Sequence, residues 1–158
     1  MANNEIVRAS DLVIATWNDV VMWIGSGKAD EHQIGTLHRV LDQKAEAPGL
    51  LLWLPHRAAA PQGKGRTRAG QLFREMGPRL RAFGLITEGG GFWASAIRSI
   101  VTGLSLAART RFPFKAVPAI DEAAPWLMDH MGMPEEAKRF QGHAQSIRDS
   151  IEQWEPPE

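Results

Sequence analysis

Leu50-Leu-Leu-Trp-Leu54 is a short apolar run without polar alternation, closed by Pro55. Such a run predicts a strand buried on both faces, as in a parallel sheet covered by helices. Upstream, Ile34, Leu37, Val40 and Leu41 recur at three- and four-residue steps and form one apolar helix face. Asp30 is placed to cap that helix, with Glu31 in its first turn and Pro48-Gly49 stopping it after about Ala47. Further upstream, Asp11–Thr16 and Val20–Gly25 read as strands joined by the turn Trp17-Asn18-Asp19, a β-hairpin.

Downstream of the run, Pro55–Arg66 is a loop rich in Pro, Gly, Ala and basic residues. Thr67 is placed to cap a second helix carrying Leu72, Phe73 and Met76, ended or kinked by Gly77-Pro78. Leu80–Thr87 reads as a strand, followed by Gly89-Gly90-Gly91 and a helix from Phe92 to about Thr110. A short strand lies within Phe112–Val117, and a helix runs from Ile120 to about Met131 with Ala123, Ala124, Trp126 and Leu127 inward. Pro134 opens a last, mostly polar helix that reaches about Trp154.

Strands alternating with helices after a hairpin predict an α/β domain with a mixed, mainly parallel sheet of about five strands and right-handed crossovers. The expected division is an extension over 1–10, the α/β domain over 11–131, and an extra C-terminal helix with its tail over 132–158.

The 158 residues suit one domain. The absence of cysteine removes disulfides, thiolate catalysis and cysteine zinc sites from the possible chemistry. Met1–Glu5 has no basic stretch followed by an apolar run, and no segment is long and apolar enough for a bilayer span; the expectation is cytoplasmic. The net charge of zero conceals an asymmetry. Arg57–Arg81 holds seven basic residues and one acid, whereas Asp121–Glu158 holds nine acids and three bases. Opposed segments of this kind can attract each other within a molecule or between copies, and most such charge is solvated surface.

Gly63-Lys64-Gly65-Arg66-Thr67 fails as a phosphate loop, because Ala58 stands where its first glycine is needed and Gly65 follows the lysine. It reads as a flexible basic loop. Glu88-Gly89-Gly90-Gly91 precedes a helix, where glycine serves turn geometry or close approach of a ligand. Glu88 would repel an anion there unless it turns away. The histidines show no zinc spacing, and no nucleophile elbow occurs. His56 and Arg57 follow the buried strand at the sheet's C-terminal edge, where α/β sheets bind ligands. The candidate ligand set is His56, Arg57, Lys64, Arg66, Gly89, Gly90 and Gly91. Trp17, Trp93 and Trp154 are candidate exposed interface anchors.

The element order, and Phe112-Pro-Phe-Lys-Ala-Val-Pro-Ala-Ile-Asp-Glu-Ala-Ala-Pro-Trp-Leu127, resemble the SpoIIAA-like and STAS domains over about Asp11–Met131. That resemblance implies a mainly non-enzymatic module that binds regulatory kinases or builds assemblies, with SpoIIAA-like members also resembling a lipid-binding fold. Switch proteins of the family carry a phosphorylatable Ser after an Asp that follows the third strand. Here Pro55-His56-Arg57-Ala58 stands in that place, and the nearest hydroxyl at the helix start is Thr67. The expectation is a non-catalytic interaction or scaffold domain with a regulatory role, able to self-associate. The alternative is a small-molecule, anion or lipid-binding module using the basic loop. Neither reading calls for catalytic residues, a metal or a cofactor, and a nucleic-acid partner is not expected.

Overall fold

The computed structural model describes residues 5–44, 46–89, 91–107 and 112–154, with the backbone alone at 91–93, 104, 105 and 107. Within them one six-stranded sheet forms in chain order: β1 (Glu5–Arg8), β2 (Leu12–Trp17), β3 (Val20–Gly25), β4 (Gly49–Leu54), β5 (Ala82–Thr87) and β6 (Phe114–Val117). The pairs β1–β2 and β2–β3 are antiparallel. The pairs β3–β4, β4–β5 and β5–β6 are parallel. The α/β class, the mixed sheet and the hairpin are as expected, and β1 adds a strand inside what was read as an extension.

The described helices are α1 (Glu31–Asp42), α2 (Gly63–Met76), α3 (Gly91–Ala107), α4 (Ile120–His130) and α5 (Ala137–Asp149). Each crossover from β3 to β6 moves one strand further in the same direction. Right-handed crossovers that always advance the same way must all pass over one face. Accordingly α1, α2 and α3 lie together, with Leu37, Leu41, Leu72, Phe73, Ile97 and Val101 packed on Leu50, Leu54, Phe83 and Leu85. The opposite face falls to α4 and α5, whose Ala124, Leu127, Met128, Phe140 and Ile147 cover Met22, Leu51, Trp53 and Ile86. Leu50–Leu54 lacks alternation because both faces of β4 are roofed. The helix read as a polar addition supplies half of the second layer. Its tail returns to the start of the chain, where the Gln153 amide donates to Ser10 O at 2.8 Å.

Trp17 is not a turn residue or an exposed anchor. It ends β2, is 5% exposed, and meets Phe140 of α5 edge-on at 5.4 Å. The turn is carried by Asn18, with φ 50°.

Asp30 caps α1 as expected, its Oδ1 accepting from the Gln33 amide at 2.9 Å. Gln33 Oε1 reciprocates by accepting from the amides of Lys28 and Ala29, so cap and first turn close on each other. The second helix begins earlier than expected, at Gly63 with Gln62 in the cap position, and Thr67 lies inside it rather than at its cap. The cause is tertiary. A Cβ on Gly65 would stand 2.4 Å from Ala29 O, so only glycine lets α2 start against the entry to α1. Packing here overrides the poor helix propensity of Gly-Lys-Gly.

Between α1 and α2, buried His38 accepts a hydrogen bond at Nδ1 from Arg68. Arginine cannot accept, so Nδ1 carries no proton and the ring is the neutral Nε2–H form. Burial, and then the Arg68 charge, hold its pKa below 6.5, against a weaker upward pull from Glu75 and Asp42. Burial also lowers His143, against Glu5. Groups with depressed folded pKa values bind more protons when unfolded. Stability is therefore full above about pH 6.5 and falls as pH drops below it. Denaturant titrations between pH 7.5 and 5 should show this loss. His38→Gln, which keeps an acceptor for Arg68 but cannot titrate, should flatten the slope; an unchanged slope would remove His38 as a cause.

Candidate functional site

The parallel strands β3, β4 and β5 all end at one edge of the sheet, and the segments after them form a cluster there. Open α/β sheets place ligands at this edge. Two non-glycine residues in these segments have left-handed backbones, Ala29 (φ 51°) and Arg57 (φ 62°). Such conformations cost on the order of 1–3 kcal/mol and collect where a fold holds a loop for a purpose.

Beneath the loops, between the sheet and α1–α3, lies an apolar cavity of about 80 Å³. Trp23, Leu50 and Leu54 form its floor, and Leu37, Ala69, Leu72 and Val101 its walls. Ser26, Ala29, Ala59 and Pro61 form the rim. Leu52, although on the central strand β4, is only half-buried, which makes the cavity a groove with access to the surface. Ser26 Oγ accepts from the Ala59 amide at 3.2 Å and ties the two rim loops together. Apart from Ser26 the lining is apolar, a surface suited to holding a ligand and lacking groups for acid–base or nucleophilic chemistry.

Polar clefts lie on either side of the rim. One contains Lys28, Asp30, Glu31, His32 and Lys64, and shares Ala29 and Ala59 with the groove. The other contains Asp11, His56, Arg57, Glu152 and Trp154, and shares Ser26. The candidate ligand residues are thus divided. His56 closes against Gly89, whose φ is 77° and whose absent Cβ would stand 2.7 Å from Nδ1. Lys64 belongs to the opposite cleft, and Arg66 is exposed on α2. Gly91 opens α3, and Gly90 lies outside the described residues. Thr67 is exposed, with its hydroxyl donating to Gly63 O at 3.3 Å. The Trp93 side chain lies outside the described residues.

Glu88 does turn away from the glycine turn. Its carboxylate accepts from Trp53 Nε1 at 2.9 Å, Trp154 Nε1 at 2.9 Å, and Arg148 through Nε at 3.3 Å and a terminal nitrogen at 3.0 Å. Arg148 also lies over the Trp154 ring, 4.4 Å from its centroid. Trp154 is therefore half-buried in a latch that fastens the tail beside the His56 loop. Sequence reasoning missed this cluster because its members are far apart in the chain. Only the expectation that Glu88 would repel an anion at the glycine turn unless it turned away hinted at it. Among the described residues no three His, Asp or Glu groups form a metal cluster, and no helix is long and apolar enough to cross a membrane. Comparisons with family models, curated proteins and solved structures find no match.

Glu88→Ala would leave Arg148 and two indole donors without their acceptor and should cost about 2–3 kcal/mol. Denaturant unfolding measures that loss, and proteolysis near Trp154 should become faster than in the parent. Parent-like values in both would show that the latch does not hold the tail.

Proposed function

We propose that this chain is a non-catalytic binding module of the SpoIIAA-like or STAS kind that takes a small apolar ligand into the groove between the sheet and α1–α3. The observation that carries the reading is the groove itself. Interiors are normally packed to crystal density, and apolar space left open to the surface is the usual form of a ligand pocket. The two left-handed residues near its rim support the same place, because strain retained in a loop calls for a use. The basic loop enters as rim and neighbour of the site, not as its floor.

A protein-interaction or scaffold role has one observation in its favour. The outer face of α3 exposes Leu106 (72%) together with Ser95, Ser99 and Thr102, and Arg98 beside them is half-buried. The two roles are compatible, since α3 contributes Val101 to the groove and presents its other side to solvent. A ligand that moved α3 would alter that outer face, which is how a regulatory module of this family would pass a signal to a partner.

1-Octanol is a suitable probe for the groove, followed by methyl NMR. Methyl groups of Leu37, Leu72 and Val101 should shift and show contacts to the probe. Ala69→Phe fills the groove and should lose both effects while still unfolding cooperatively. Shifts confined to surface methyls, or none, would defeat the reading.

A further inference from the structure

Two of the helices that wall the groove are clasped together by a buried polar contact. α1 supplies Ile34 and Leu37 to the lining, and α2 supplies Ala69, Leu72 and Phe73. Along the seam between these helices His38 is 7% exposed and Arg68 is half-buried. Arg68 donates to His38 Nδ1. Its guanidinium lies over Gly35 of α1, where a Cβ would stand 3.5 Å from Nε and 3.8 Å from a terminal nitrogen. Leu37 and Ala69, the chain neighbours of the two partners, both line the groove.

The clasp holds only while the ring is neutral. Nδ1 accepts from a group that can only donate, so a proton there would set two charged donors face to face. The ionisable groups that act on the ring are Arg68 and Glu75 from α2 and Asp42 from α1 itself. Asp42 is held by Arg79 at 2.7 Å. Glu75 lies 4.0 Å from Nε2, and its side chain is 54% exposed. A protonated ring is therefore pushed from Arg68 and drawn towards Glu75 and water. Arg68 leaves its seat over Gly35, and the walls that carry Leu37 and Ala69 lose a contact that sets their spacing. A narrow apolar groove binds by close contact, so a change in that spacing removes its hold on a ligand.

We propose, resting on the reading of the groove as a ligand site, that the His38–Arg68 clasp gates it by pH: the groove holds its ligand while His38 is neutral and releases it when the ring is protonated. Burial, and then the Arg68 charge, keep the ring's pKa below 6.5, so the ligand is held at neutral pH and lost in acid. The sign follows from linkage. A ligand that favours the neutral ring lowers its pKa further, and by reciprocity a proton on the ring weakens the ligand. Affinity is then level above about pH 6.5 and falls below the ring's pKa by up to about tenfold per pH unit.

Calorimetric titration of the whole chain with 1-octanol from pH 7.5 to 5, over the range in which circular dichroism shows the native fold, tests this. Affinity should fall on the acid side, and binding there should release protons to the buffer. His38→Gln, which still offers Arg68 an acceptor, should bind octanol like the parent at pH 7.5 and keep that affinity in acid. His143→Gln, on α5 across the sheet, should retain the parent's pH dependence. In the parent itself, saturating octanol should move the NMR titration midpoint of the His38 ring to lower pH. Affinity that stays level through the His38 titration, or a ring midpoint that octanol does not move, would overturn the gate and leave the groove in place. An acid loss that persists in His38→Gln, or vanishes in His143→Gln, would overturn its location. Absence of octanol binding at pH 7.5 would overturn the groove and the gate with it.

Discussion

A sheet whose parallel strands follow one another in chain order can receive its crossover helices on one face only. Everything else in this molecule depends on that constraint. It stacks α1, α2 and α3 on Leu50, Leu54, Phe83 and Leu85, and it leaves the other face of β4, with Leu51 and Trp53, bare. A bare face of that composition cannot remain in water. The chain after β6 must therefore turn back and cover it, and α4 and α5 do so. The C-terminal helix is thus a requirement of the topology, and the Glu88 latch fastens its tail at the sheet edge where the apolar groove opens.

The same constraint explains the groove. Three helices crossing one face side by side share the roof over β3, β4 and β5. The N-terminal ends of α1 and α2 are drawn together where Gly65 meets Ala29. Small side chains at Ala29, Ala59 and Ala69 then leave the roof open above Leu50 and Leu54. Larger residues at these positions would close it.

The parts of the fold legible in the sequence were those in which one segment reports its own surroundings. Leu50–Leu54 reported a double-faced strand, and Ile34, Leu37 and Leu41 an inward helix face. Asp30 with Glu31 marked a helix start. The short edge strand β1 was missed because Glu5–Arg8 is largely exposed and gives no burial pattern. The start of α2 was missed because a contact with Ala29, remote in sequence, imposes helix on Gly-Lys-Gly. Trp17 was misplaced because its partner, Phe140, belongs to a helix read as lying outside the domain. The candidate groove left little trace in the sequence. His56 and Arg57 pointed to the edge of the sheet beside which it lies, but a cavity is a property of spaces between distant side chains and leaves no motif. Alanine carries no signal of its own, and three alanines from three segments shape this opening.

The central claim is that the space between the sheet and α1–α3 is open and apolar in the folded protein. A crystal structure determined under xenon pressure tests it most directly, since xenon enters dry apolar cavities without needing polar partners. The account predicts a xenon peak among Leu37, Leu72 and Val101, above Leu50. A structure in which those side chains meet one another with no xenon between them would contradict it.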